Sequence, residues 1–233
     1  MRHISVRESF PFEPSIFGKS VSGIPLEVWL PDGKNQTDLL VMAGIHGAEP
    51  ETTKLLSSAL RTLEKKELKY PVVLCANPDG IMRGRRSNLN GVDLNRNFPA
   101  IDWSLESLML SWVYKGKKEV EISTGEHPAS EPETMALIDL IDKLRPKTII
   151  SIHAPAGLID DPEDTQIGAW LAQKTGLPHV TDWDIVTPGS MGTWGKENNI
   201  PIITYELPDA SIQNIRKIHE PVLVDLLRGM TTS

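Results

Sequence analysis

His46 and Glu49 stand three positions apart in "GIHGAEPE", on a glycine-bounded turn between an apolar run and a helix-like pattern. An imidazole nitrogen and a carboxylate oxygen are both good ligands for zinc. A third candidate, His153, closes the apolar run "TIISIH". A His-Glu-His set leaves one tetrahedral position open for water, as hydrolytic zinc sites do, whereas structural zinc sites fill all four, usually with cysteines. This chain has a single cysteine, Cys75, so the set favours a catalytic metal. Glu206, at the end of "IPIITYE", adds a carboxylate suited to take a proton from attacking water and pass it to a leaving amine.

The loop "MRGRRSNLNGVDLNRNFP" carries Arg83, Arg85, Arg86 and Arg96, with Asn95 beside the last. Surface arginines are usually solvated. Here guanidinium forks stand next to an asparagine donor, the kit needed to grip a terminal carboxylate. No aromatic residues interleave with the basic ones, as they would for nucleic acid.

These side chains need rigid elements to bring them together. Apolar runs of strand length, "LLVMAG" (39–44), "PVVLCAN" (71–77), "TIISIH" (148–153) and "PIITYEL" (201–207), alternate with helical patterns. One pattern covers 51–66, one covers 130–146 with Ser130 and Glu133 spaced as a capping box, one ends at Gly176, and one runs through 211–228 across Pro221. The stretch 78–99 reads as loop, and 101–128, with Trp103, Trp112 and Gly125, as an excursion beside the sheet. The pattern predicts an α/β fold, a mixed, mainly parallel twisted sheet with helices on both faces, in one domain over 1–233. Three of the strands end in a chemically able side chain, and in such sheets ligands bind beyond the carboxyl ends of the strands.

A net charge of −7 with no basic run argues against a nucleic-acid partner. No apolar run reaches membrane-spanning length, and "MRHISVRESFPFEPS" lacks the apolar core of a secretory signal. With one cysteine, the expected location is a reducing cytoplasm. Assembly is left open between a single chain and a homodimer.

"HGAE", "NPDG", "NGVDLNRNFP", a strand ending in His153 and then "TYE" resemble, in order and spacing, the zinc metallocarboxypeptidases. The resemblance extends from about residue 16 to about residue 225. It implies one Zn2+ on His46, Glu49 and His153, a catalytic Glu206, carboxylate binding by Asn95 and Arg96, and carbonyl polarisation by Arg86, with Arg83 and Arg85 as competitors. More narrowly, "VVLCANPDG", "NGVDLNRNFPA", "SEPET" and "PGSMGTW" are similar to the bacterial murein peptide amidases. That likeness implies cleavage of the γ-D-glutamyl–meso-diaminopimelate bond of murein tripeptide, a small peptide substrate, in the recycling of cell-wall peptides.

The chain departs from the digestive carboxypeptidases in two ways. Their mobile tyrosine would fall near Asp184, and no tyrosine lies in 180–190, so no tyrosine-assisted step is expected. Met191 occupies the position that sets preference for the leaving side chain, but it does not explain selection of diaminopimelate, whose far end carries an amine and a carboxylate. Asp160, Asp161, Asp184 and Lys196 are candidates for that end. The alternative activity is a zinc-dependent N-acyl amino acid deacylase, since related enzymes share His-x-x-Glu and a later histidine.

Overall fold

The computed structural model describes residues 12–33, 36–112, 118–185 and 187–231. Residues 1–11, where the sequence shows no secretory-type apolar core, lie outside them. Two short strands, β1 (Ser15–Lys19) and β2 (Pro25–Val28), pair antiparallel ahead of the main sheet. The chain then lays down β3 (Leu39–Ala43), helix α1 (Pro50–Leu60), β4 (Val72–Val73) and helix α2 (Pro78–Arg83). The excursion follows as the antiparallel pair β5 (Leu108–Trp112) and β6 (Lys118–Ile122), a separate two-stranded sheet.

After α3 (Pro132–Leu144) come β7 (Thr148–His153), β8 (Ala156–Asp160), α4 (Gln166–Thr175), β9 (His179–Val180), α5 (Met191–Glu197), β10 (Ile202–Pro208) and α6 (Ile212–Leu227). The six-stranded sheet has the order β4-β3-β7-β10-β8-β9. Only the β10–β8 pairing is antiparallel; the other four are parallel, which makes the sheet mixed and mainly parallel. Its central neighbours β3, β7 and β10 are the strands that lead to His46, His153 and Glu206.

These runs form strands because both faces are covered, so nearly every residue can be apolar. Leu39, Val41 and Ala43 join Ile150, Ile152, Ile203 and Tyr205 on one face, packed by α1, α4 and α6 through Leu56, Trp170 and Leu223. Leu40, Met42, Ile149 and Ile202 occupy the other face, covered by α3 and α5 through Leu137, Ile141 and Trp194. The period-two alternation puts Ser151 and His153 on the α3/α5 side together with Thr204 and Glu206.

Three local expectations are corrected. Residues 78–99 are not all loop. The Asn77 side chain accepts from the Gly80 amide at 2.9 Å, Pro78 begins the helix, and Gly84 closes it at φ 60°, so α2 carries ordinary start and stop signals. Ser130 and Glu133 form no capping box, because α3 starts one residue later, with Glu131 as its uncapped N-terminal flank. Tertiary partners take both side chains instead: Ser130 binds the Asn97 amide and Glu131, and Glu133 accepts from the Val21 amide and Asn88. The run 71–77 is a strand only at Val72–Val73, yet it stays beside β3, with Ala76 and Asn77 amides bonded to the Ala43 and Gly44 carbonyls. Helix α6 continues through Pro221.

Beneath α6, Tyr205 Oη and His219 Nδ1 are 2.7 Å apart and both residues are buried. Burial pushes the His219 pKa down to about 4, so the folded state holds it neutral. The unfolded chain protonates this histidine near its ordinary value, so stability from this site is complete above about pH 6.5 and falls as pH drops towards 4. The Tm gap between wild type and His219→Gln is therefore expected to narrow across that window in thermal melts. A pH-independent gap would show that His219 titrates alike in both states.

Candidate active site

Strand register sets the site. Glu206 pairs with His153 across β10 and β7, and Ala43 pairs with Ile152 across β3 and β7, so the three strand ends lie side by side. From β3 the chain turns through Gly44, at φ 68°, to His46, and Glu49 flanks the first residue of α1. This turn is pressed against its neighbours: a Cβ on Gly47 would overlap the backbone of Gly80 and Ile81 in α2, and the Gly47 amide donates to the Arg86 carbonyl at 3.2 Å. The buried Asn77 amide reaches both the Ile45 and Arg86 carbonyls, at 3.2 and 3.3 Å. The turn carrying His46 and the loop carrying Arg86 are thus held as one unit.

The three donors converge. His46, Glu49 and His153 each offer an atom within 4.8 Å of the others, and all three are buried. His46 Nδ1 lies 2.9 Å from Glu49 Oε1 and 3.1 Å from His153 Nδ1, and His153 Nδ1 lies 3.4 Å from Glu49 Oε2. The outer nitrogens are engaged elsewhere, His46 Nε2 with Asp93 Oδ1 at 3.2 Å and His153 Nε2 with Ser151 Oγ at 3.0 Å. If each Nε2 donates outward, both Nδ1 lone pairs face one another and the Glu49 carboxylate. Electron-rich atoms in that arrangement repel unless a cation sits between them, so the donor set fits a zinc ion.

Burial alone would raise the Glu49 carboxyl, but the imidazoles of His46 and His153 outweigh it and hold Glu49 far below the usual carboxylate range. Asp93 follows the same pattern, with burial opposed by Arg86 and His46, and its pKa is held well down. For His46, burial and Arg86 act downward while Glu49 and Asp93 act upward, and the net direction is up. Glu206 is 8% exposed and accepts from the Ala156 amide at 3.2 Å. Burial raises its pKa and the nearby Glu49 charge adds to the rise, opposed by His153.

Of the three clustered arginines, Arg86 is the one turned to the donors, with Nε 2.7 Å from Asp93 Oδ2 and Nη1 3.7 Å from Glu49 Oε1. Arg83 is paired with Asp79, and Arg85 contacts only the Leu89 carbonyl among the described residues. Arg96 is buried, with Nη1 on the Asn95 carbonyl at 2.6 Å and Nε without a hydrogen-bond partner. Asn95 Oδ1 accepts from the Met191 amide at 2.9 Å, which turns its two N–H donors away from α5. The Met191 side chain is 1% exposed and packs in the core with Phe98 and Trp194.

Sequence reasoning passed over Asp93, Asn77 and Ser151. Asp93 is fully buried between His46 and Arg86 and also accepts from the Asn95 amide at 2.9 Å, so one carboxylate orients three parts of the site. Its signal lay in plain view, an acidic residue inside a loop otherwise rich in arginine and asparagine. Asp93→Asn is expected to lower metal affinity and kcat/KM by roughly 10–100-fold without unfolding the chain, checked by zinc titration and steady-state kinetics. Unchanged values on both counts would remove Asp93 from the site's support.

The fold and the donor set define a zinc hydrolase, and the chain belongs to the zinc carboxypeptidase family, whose model matches residues 1–167. Within that class, it is 41% identical over 224 residues to murein peptide amidase A of Escherichia coli (strain K12), covering 95% of this chain and 92% of that protein. Murein peptide amidase A of Vibrio campbellii is 39% identical over 223 residues, covering 95% and 90%. The crystal structure of the murein-tripeptide amidase from Escherichia coli O157 matches with a TM-score of 0.90 at 39% identity, over 97% of this chain and 96% of that one.

Proposed function

We propose that this chain is an amidase that hydrolyses the γ-D-glutamyl–meso-diaminopimelate bond of murein tripeptide, L-Ala-γ-D-Glu-meso-diaminopimelate. The likeness to murein peptide amidases along 95% of the chain carries this reading. It takes residues 1–233 as one catalytic domain, working in the cytoplasm on recycled cell-wall peptides. No described helix is long and apolar enough to cross a membrane.

One zinc ion per chain is the proposed cofactor, held by His46, Glu49 and His153. When bound, zinc supplies Lewis acidity that polarises an amide carbonyl and lowers the pKa of water. The rest of the chemistry belongs to the protein. The Asn95 amide and the Arg96 guanidinium hold the α-carboxylate of diaminopimelate. The Arg86 guanidinium, oriented by Asp93, donates to the oxygen that gains charge as the carbonyl carbon becomes tetrahedral. Glu206 takes the proton of the attacking water and delivers it to the nitrogen of diaminopimelate as the amide bond breaks. Its raised pKa suits a group that must first accept and then release a proton.

The test is product identification by mass spectrometry, with the tripeptide and an N-succinyl amino acid as parallel substrates. Release of diaminopimelate and L-Ala-D-Glu, with the succinyl compound untouched, is expected. An intact tripeptide beside a hydrolysed acyl amino acid would assign the chain to the deacylases.

A further inference from the structure

A cavity of about 560 Å³ opens between α5 and β10, lined by Asp160, Glu163, Trp183, Gly192, Lys196 and Thr204 among others. Thr204 lies two residues before Glu206 on β10, and Asp160 is its direct partner in the antiparallel register of β8. Opposed residues of such a pair point to the same face, so Asp160 sits on the Glu206 side of the sheet, one pleat repeat or roughly 7 Å back along the strand. Gly192 follows Met191, whose amide holds Asn95. The cavity therefore lies on the Glu206 side of the sheet, although neither Glu206 nor Asn95 lines it.

Two carboxylates and one ammonium line this cavity: Asp160 is half-buried, whereas Glu163, on the turn after β8, and Lys196, on α5, are exposed. Among the described residues, the Asp160 carboxylate and the Lys196 ammonium each lack a hydrogen bond or ion pair, with each other or with any neighbour. Burial, with Asp161 and Glu206 adding their charge, pushes the Asp160 carboxyl up to about 6, so a cation beside it would relieve a real cost. The other candidates for a charged leaving group are occupied or misplaced. Neither Asp161, which is 1% exposed with Oδ2 bonded to the Thr165 amide and His179, nor Asp184 lines the cavity.

We propose that Asp160 and Lys196 are the specificity pair for the far end of the leaving amino acid, Asp160 receiving its ammonium and Lys196 its carboxylate. The inference rests on the amidase reading, since only a leaving group with an amino-acid end offers both charges.

The experiment measures kcat/KM on three peptides: the tripeptide, its L-lysine analogue, which lacks the far carboxylate, and its L-2-aminopimelate analogue, which lacks the far amine. The wild-type chain is expected to prefer the tripeptide by about tenfold or more over each analogue. Asp160→Asn should lower kcat/KM on the tripeptide by roughly 10–100-fold but change it little on the aminopimelate peptide. Lys196→Met should show the mirror pattern, sparing the lysine peptide. Equal losses on all three peptides, or none on the tripeptide, would overturn the pair. If either variant melts early, the wild-type ranking decides, and three equal values overturn the inference. A wild-type chain that leaves the tripeptide intact overturns the amidase reading and this inference with it, whereas turnover without discrimination sinks the pair alone.

Discussion

Freed of metal by a strong chelator, the protein is expected to lose all measurable amide hydrolysis and to recover it with one equivalent of zinc. The same treatment should lower its thermal stability. Glu49 and the two imidazoles are buried within 4.8 Å of one another, and without a metal ion only a proton on His46 offsets the repulsion among their lone pairs. A ligand present at a thousand times its Kd stabilises the folded state by about 4 kcal/mol, or roughly 10 °C in Tm for a chain of this length. Elemental analysis must accompany the melt, because hydrolysis by a chain proven free of metal would end the zinc reading.

Metal affinity should also depend on pH in a definite direction. The opposing influences on His46 leave its pKa raised in the metal-free site, so a proton competes with the ion at this ligand. A ligand must be deprotonated to bind, so apparent affinity rises with pH until His46 is neutral and declines as pH falls. Competition titration with a coloured chelator at several pH values reads this slope. A flat profile would mean that no ligand proton is displaced.

Glu206→Gln is expected to reduce kcat by roughly 1000-fold, about 4 kcal/mol of barrier, with zinc content and KM nearly unchanged. The substitution keeps the shape of the side chain and an oxygen to accept from the Ala156 amide, so the loop after β7 stays in place. It removes only the capacity to take a proton. Metal stoichiometry and steady-state kinetics on the same preparation separate a lost base from a lost metal. Activity within tenfold of wild type, with zinc bound, would assign proton transfer to another group.

The legibility of this site was uneven for physical reasons. His153 and Glu206 were readable because each ends an apolar run that only a strand buried on both faces would carry, and the observed strands cover 148–153 and 202–208. His46 and Glu49 were readable because a metal-ligating pair stands at a strand-to-helix handover. Asp93 was not, because a carboxylate in a polar loop looks solvated until the fold buries it completely. The Ser130–Glu133 spacing misled because partners distant in sequence, the Asn97 and Asn88 side chains and the Val21 backbone amide, outcompeted the local cap. The two-residue β9 carried too few residues to show a period, and the places of β8 and β9 in the sheet depend on neighbours elsewhere in the chain.

By itself, then, the sequence determined the alternation of strands and helices, the two-faced core and the residue types able to hold a metal, because these follow from local periodicity and side-chain chemistry. Only the tertiary structure decided which of Arg83, Arg85 and Arg86 turns to the donors, since that depends on which guanidinium finds Asp93. It also decided which of Asp160, Asp161, Asp184 and Lys196 line the cavity between α5 and β10. Adjacent residues in a chain share one composition and one set of propensities. Strand pleat, register and the packing of distant loops turn one of them into the site and its neighbour into the frame.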